Sequence, residues 1–279
     1  MKLLRFGNKG SERPALLDDQ GTIRDVSSLV TDYTPETISP ALLRILQSAD
    51  LSSLPEVPAS TRIAAPLARV GHFIAIGLNY ADHAAETGAA IPTEPIIFSK
   101  APSSLSGPYD DVLLPKGSQK TDWEVELAVV IGERCDYVSE DEALSHVFGY
   151  AVCNDVSERE YQIERGGQWI KGKSAPTFGP LGPWIVTADE IADPQNLTLS
   201  LTLNGERRQH ASTGDMLFTV AELISFASQI MTLQPGDLLA TGTPSGVGKA
   251  AGRFLTAGDV LVASVEGVGA LRNPVVAHA

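Results

Sequence analysis

The chain has 279 residues, 43% hydrophobic and 20% charged, which places it among folded globular proteins and excludes a mostly disordered chain. Its formal net charge of -13, with no basic cluster denser than Arg207-Arg208, excludes a broad phosphate-neutralising face; nucleic acid is not an expected ligand, and an anionic substrate would need a local cation. Two cysteines, Cys135 and Cys153, are too few for a disulfide framework and are not spaced as a zinc site, so they read as buried thiols.

Met1 to Phe6 lacks the apolar core of a signal peptide, and no run approaches the roughly 18 apolar residues of a membrane span, so a cytoplasmic protein is expected. Residues 1–68 read as a small separate unit. Short strands are expected at Leu3 to Phe6 and Ala15 to Leu17, a helix near Pro40 to Gln47, and a proline-punctuated linker from Leu54 to Pro66. From Gly71 the pattern changes to short apolar runs parted by Gly, Pro, Asn and Asp, which predicts a β-rich second unit over 69–279. Its strands are predicted at Phe73 to Gly77, Ile96 to Ser99, Glu124 to Gly132, Phe148 to Cys153, Trp184 to Thr187, Leu197 to Leu203, Asp237 to Ala240 and Val260 to Val265. Helices are fewer, at Tyr80 to Thr87, Glu140 to Ser145, Glu158 to Glu164 and Val220 to Met231, the last supported by the apolar spacing of Val220, Leu223, Ile224 and Ala227. The fold class is therefore α+β and β-rich, with no internal repeat.

The sharpest chemical feature is Glu124-Val125-Glu126, which opens an unbroken apolar run to Ile131. Residues two apart on a strand share a face, so the two carboxylates converge. A bare Glu-x-Glu is commonest as a solvated strand face, but a continuous apolar run implies burial on both sides. There, an ionised carboxylate without a cation costs several kcal/mol. A hard divalent cation would offset that cost. Asp155, in Asn154-Asp155-Val156-Ser157 at the end of the run Gly149 to Cys153, is a third candidate ligand, although an Asn-Asp pair there also reads as a turn. Three carboxylates without thiolate or imidazole suit Mg²⁺ or Mn²⁺ rather than zinc.

His83 and Glu86 are three apart where a strand gives way to a helix, and they share a helix face. A carboxylate beside an imidazole orients it and raises its basicity for activating water; the same spacing also describes an ordinary surface pair. Lys173, in Lys171-Gly172-Lys173-Ser174 ahead of a Gly/Pro-rich frame at 177–183 that reads as defined turns, could supply the cation for an anionic substrate or be one more solvated lysine. The glycine-rich loop Ala240 to Lys249 is not a P-loop, because its first glycine is misplaced and Ala250 stands where Ser or Thr is required. Its backbone N–H groups and the Thr243 hydroxyl could still bind a carboxylate, with a hairpin turn as the competing reading.

Gly-Leu-Asn-Tyr at 77–80, Asp-Trp-Glu-Val-Glu-Leu at 122–127, Asn-Asp-Val-Ser at 154–157 and Gly-Thr-Pro-Ser-Gly-Val-Gly at 242–248 stand in the order of the fumarylacetoacetate hydrolase family, which the chain resembles from about residue 71 to its C-terminus. The resemblance implies a mixed β-roll with a small N-terminal domain, commonly a homodimer. It implies Glu124, Glu126 and Asp155 as ligands of Mg²⁺, with Mn²⁺ as the alternative, His83 and Glu86 as a catalytic dyad on a lid, and Lys173 as a cation contacting the substrate. Gln209 and Thr243 match substrate-binding positions. Arg207 joins them because residues two apart on a strand share a face, which would aim it with Gln209. One departure is Pro176, where many relatives carry an acidic residue three positions after the lysine.

Within the family the chain looks most similar to bacterial hydrolases of 2,4-diketo-3-deoxy sugar acids, the rhamnonate and fuconate derivatives. That implies cleavage of a carbon-carbon bond in a small anionic 2-keto acid, giving pyruvate and a hydroxy acid, with no nucleic acid or membrane partner. The same scaffold also serves oxaloacetate decarboxylation, ureidoglycolate lysis and hydroxymuconate-type isomerisation, and an organic-acid binding protein without turnover is the reading from another class. The presence of both His83 and Glu86 leans toward hydrolysis, which needs a base to activate water.

Overall fold

Strand Val125–Ile131 is buried along its whole length, and its side chains divide between two apolar cores: Val125, Leu127, Val129 and Ile131 enter one, Ala128 and Val130 the other. A strand buried on both faces must sit inside a sheet. In the computed structural model, which describes residues 1–278, it pairs antiparallel with Val147–Asn154 on one side and Leu238–Ala240 on the other. The sheet continues outward through Gly179–Thr187, Lys2–Phe6, Arg13–Leu17 and Ile23–Asp25 in one direction, and through Phe73–Gly77 to the edge strand Ile96–Lys100 in the other. Along this path only Leu238–Ala240 and Phe73–Gly77 run parallel, so the sheet is mixed.

A second sheet, ordered Glu206–Ser212, Thr198–Leu203, Val260–Val265, Gly269–Ala277 and Val112–Leu114, covers the first core. Its strands alternate: Leu199, Leu201 and Leu203 point inward between partly exposed neighbours, as do Leu261, Ala263 and Val265. Helix Val220–Ile230 closes the same core with Leu223, Ile224 and Ala227, and starts at a Thr219/Glu222 capping box. The opposite core is covered by the helix Pro40–Ser48 through Leu42 and Leu46, together with Val26, Tyr33 and Ile38.

Residues 1–68 share this architecture. Lys2 and Leu3 pair with Val186 and Ile185, and the stretch expected as a linker is tied to Arg5 and Phe6 through Ile63–Ala64 and to Arg24 through Glu56. Part of the Gly/Pro frame expected as turns is instead the start of strand Gly179–Thr187. The strand Glu206–Ser212, which the pairing of Arg207 with Gln209 assumed, has no apolar pattern to give its bounds, because Glu-Arg-Arg-Gln-His-Ala-Ser carries almost no apolar signal; it is a sheet edge with one neighbour. The last predicted helix is shorter at its end by one residue, Glu140–Ala143 tightens into a 3₁₀ turn at Leu144–His146, and Glu160–Glu164 forms a π turn. Among the described residues no helix is long and apolar enough to cross a membrane.

Close strand packing leaves no room for a side chain at Gly149. A Cβ there would lie 2.3 Å from the Val186 carbonyl oxygen and 2.7 Å from Ile185 Cγ2. Gly149→Ala is expected to cost about 1–3 kcal/mol, the usual range for overpacking a core. Urea unfolding checks this, and an unchanged midpoint would mean that the two strands separate freely at this point.

Candidate active site

The register that pairs Val125 with Asn154 and Glu126 with Cys153 brings Asp155 beside the two glutamates. The joint is fixed by backbone: the Asp155 N–H donates to the Glu124 carbonyl at 2.8 Å, and the Glu124 N–H donates to Asn154 Oδ1 at 3.0 Å. One carboxylate oxygen from each of Glu124, Glu126 and Asp155 lies within 4.8 Å of the others, and all three residues are buried.

Lys173, expected as a cation, and two cations that the sequence did not announce, Lys100 and Arg159, surround this cluster. Lys173 Nζ donates to Glu124 Oε2 and Asp155 Oδ2, both at 2.6 Å, and Lys100 Nζ donates to Asp155 Oδ1 at 2.6 Å. Arg159 pairs with Glu124 Oε1 at 2.6 Å and Asp122 Oδ1 at 2.7 Å. Burial pushes the Glu124 carboxyl up, but Arg159 and Lys173 outweigh it and hold it well below the usual carboxylate range. Burial likewise works against the charge on Lys173, and Asp155 and Glu124 more than restore it. Asp122, buried and opposed by Arg159, is pushed up to about 6.

Glu126 is the exception. Its Oε2 accepts from the Gly242 N–H at 2.8 Å, while its buried Oε1 has no partner. Burial, then the charges of Asp155 and Glu124, push its carboxyl well above the usual range. An orphaned carboxylate oxygen facing two further carboxylates, in an all-oxygen donor set, fits a hard divalent cation.

His83 stands on the helix Ala81–Thr87, whose C-terminus is closed by Gly88 in the left-handed conformation at φ 70°. Its Nδ1 lies 2.8 Å from Glu86 Oε1, and Glu86 Oε2 accepts from the Gly246 N–H at 2.8 Å. Ser245 Oγ donates to Asp82 Oδ2 at 2.5 Å, so the helix is docked onto the glycine-rich loop at two points. With Nδ1–H directed at Glu86, Nε2 carries the lone pair and is available to the cavity that His83 lines.

That cavity holds about 150 Å³. Glu124, Glu126, Arg159 and Lys173 give it a charged lining, and Leu78, Phe98, Ile163 and Trp169 an apolar one. Trp169 lies against Gly77, where a Cβ would come within 2.5 Å of its ring, and meets Phe98 edge-on at 5.2 Å.

The expected substrate-binding positions fare differently. Thr243 lines the cavity, and its hydroxyl donates to the Val125 carbonyl at 2.9 Å. Gln209 is spent on the protein: its amide nitrogen donates to Thr243 Oγ1 and to the Pro244 carbonyl, both at 2.8 Å, and its oxygen accepts from the Val125 N–H at 3.0 Å. It clamps the loop to the central strand. Arg207 is exposed and does not share the face of Gln209, because the ladder slips between Leu201/Gln209 and Thr202/Arg207 and leaves Arg208 as a bulge that breaks the alternation. With Pro176 at the acidic position, Lys173 takes its anionic partners from Glu124 and Asp155.

A family model described as fumarylacetoacetate (FAA) hydrolase, C-terminal, matches residues 72–276, and the chain belongs to the fumarylacetoacetate hydrolase family. Relatives from Burkholderia multivorans and Burkholderia lata, provisionally named as hydrolases, are 55% identical over 272 residues, covering 96% of both chains. The structure is similar over the full length of both chains to a fumarylacetoacetate hydrolase of Exiguobacterium antarcticum, at TM-score 0.89 and 38% identity. It is similar over the same extent to a Sphingobium maleylpyruvate hydrolase in complex with manganese(II) and pyruvate, at TM-score 0.84 and 32% identity.

Two expectations follow from this geometry. Gln209→Leu leaves buried partners of the amide unsatisfied and should cost about 1–3 kcal/mol, whereas Arg207→Ala should stay within about 0.5 kcal/mol of the parent; equal urea midpoints for the two variants would refute the clamp. Metal-free Glu126 keeps its proton to higher pH than an exposed glutamate, and a bound divalent cation must displace it. Mn²⁺ affinity should therefore rise with pH and proton release should accompany binding, as measured by calorimetry in buffers of different ionisation enthalpy. An affinity independent of pH would mean that Glu126 is ionised without the metal.

Proposed function

We propose that the protein hydrolyses a carbon-carbon bond of a 2,4-diketo acid, such as 2,4-diketo-3-deoxy-rhamnonate or -fuconate, releasing pyruvate and a hydroxy acid. The observation that carries this reading is the His83–Glu86 pair, bonded at 2.8 Å, lining the same cavity as Glu124 and Glu126. Glu124, Glu126 and Asp155 would hold Mg²⁺ or Mn²⁺, which when bound polarises substrate oxygens and stabilises developing negative charge.

The protein's own groups account for the proton movements. His83 Nε2 accepts a proton from water, and Glu86, accepting from Nδ1–H, stabilises the imidazolium that results. The activated water adds to the C4 carbonyl, the C3–C4 bond breaks, and pyruvate departs as its enolate, which takes a proton at C3. Lys173, kept charged by Asp155 and Glu124, is a cation available to the substrate carboxylate. The helix Ala81–Thr87, docked on Ser245 and Gly246, shields these steps from bulk water.

A second reading is supported by a specific neighbour. The structure is also similar to a 5-carboxymethyl-2-hydroxymuconate delta-isomerase of Mycobacterium smegmatis, at TM-score 0.79 and 33% identity over the full length of both chains. An isomerase needs the same base to move a proton along the carbon chain and no attacking water. The apolar lining by Leu78, Phe98, Ile163 and Trp169 also favours an acyl arm with few hydroxyl groups over a heavily hydroxylated one, since hydroxyls set against it would lose their hydrogen bonds.

Pyruvate release is to be measured from a panel of 2,4-diketo acids and oxaloacetate, with Mg²⁺, Mn²⁺ or EDTA. Metal-dependent pyruvate from a diketo acid is expected, and His83→Ala is expected to reduce it by about 10²- to 10⁴-fold, the usual contribution of general base catalysis. Full activity in His83→Ala would remove the dyad from the mechanism. Release from oxaloacetate alone would move the assignment to a decarboxylase, and silence on every substrate would leave the lyase, isomerase and binding-protein readings.

A further inference from the structure

Lys100 closes the edge strand Ile96–Lys100, is fully buried, and does not line the cavity. A buried ammonium persists only where its protons find acceptors. Lys100 Nζ donates to Asp155 Oδ1 at 2.6 Å and to the carbonyl oxygen of Lys173, and it stands 5.8 Å from the centre of the Phe73 ring. Asp155 thus has its two oxygens divided between two lysines, Oδ1 to Lys100 and Oδ2 to Lys173. A carboxylate held at both oxygens has a fixed plane, so the bond from Lys100, together with that from Lys173, determines how Asp155 presents itself to Glu124 and Glu126. The same ammonium anchors the last carbonyl of the short helix Ile170–Lys173, and so the main chain from which the Lys173 side chain departs.

We propose that Lys100 is a positioning residue: without touching the substrate, it sets the divalent-metal affinity of the carboxylate site by holding Asp155 and the Lys173 carbonyl in one geometry. This rests on the reading of Glu124, Glu126 and Asp155 as a metal site. A lysine that merely balances buried charge would, once neutralised, leave the site more negative and strengthen the binding of a divalent cation rather than weaken it.

Lys100→Met keeps the stem of the side chain and removes its charge and donors. Mn²⁺ binding to the metal-free protein, followed by the electron paramagnetic resonance of the free ion, is expected to weaken by about 10- to 100-fold, the usual effect of removing a group that orients a metal ligand. Leu42→Ala, in the helix Pro40–Ser48, serves as the control: it should lower the urea midpoint and leave Mn²⁺ affinity unchanged. Folded Lys100→Met that binds Mn²⁺ as tightly as the parent, or more tightly, would overturn the proposal.

A second measurement needs no metal. In urea unfolding of metal-free protein, Lys100→Met should destabilise the Asp155→Asn background less than it destabilises the parent, because its main partner has lost its charge. Additive effects would overturn the coupling through Asp155, even if Lys100→Met alone folds too poorly for binding work. Failure of the parent protein to bind Mn²⁺ would instead overturn the metal-site reading, and the metal part of this proposal with it, while the stability cycle still decides whether Lys100 acts through Asp155.

Discussion

Two rungs of one antiparallel ladder, Val125 opposite Asn154 and Glu126 opposite Cys153, set the distance between the glutamate pair and Asp155. Side chains alternate along both strands, so Glu124, Glu126, Cys153 and Asp155 fall on one face while Val125, Leu127, Tyr150 and Val152 fall on the other. Each face is packed by its own core, and a slip of one residue would exchange the carboxylates with the apolar set. The burial that makes the carboxylates expensive is therefore what keeps them in register. Everything else in the site is arranged around that fixed group.

The first consequence is electrostatic. Asp122, Glu124, Glu126 and Asp155 are answered by Lys100, Arg159 and Lys173, which leaves a single negative charge in excess when Glu126 is ionised. A divalent cation would convert that excess into a single positive charge. Such a site would take a metal first and an anion second, and by linkage each would improve the affinity of the other. The net charge of -13 gives no hint of such a local reversal, because it is set by solvated residues elsewhere.

What could be read in the sequence was the part governed by local periodicity. The doubly buried run Val125–Ile131 implied an interior strand, which made Glu-x-Glu at its entry a candidate for a shared counterion, with Asp155 at a strand end as a third candidate. Strands Phe73–Gly77 and Val260–Val265 and the helix Val220–Ile230 were legible for the same reason, a clean apolar pattern. What was not legible depended on distant partners. Nothing near Lys100 or Arg159 in sequence reveals that they meet Asp155 and Glu124, which are 55 and 35 residues away. The face that Arg207 was expected to share with Gln209 was lost through a single inserted residue, since alternation holds only in an unbroken ladder and Arg208 breaks it. Gln209 was found as a position, yet its amide serves the protein rather than a ligand, a distinction visible only once Val125, Thr243 and Pro244 are seen around it.

The His83–Glu86 pair adds a conformational condition to this fixed base. Glu86 uses one oxygen to orient the His83 ring and the other to accept from the Gly246 N–H, so the carboxylate that tunes the imidazole is also the latch between the helix and the loop. Gly246 can approach so closely because it lacks a side chain: a Cβ there would stand 2.0 Å from the Arg208 carbonyl oxygen, and its φ is 104°. The loop is in turn held to the central strand through Thr243 and Gln209. Undocking the helix would therefore cost Glu86 its second bond at the moment the cavity opens to water. The bond from Glu86 to His83 is made within the helix and does not depend on that docking, whereas the place of the His83 ring at the cavity does.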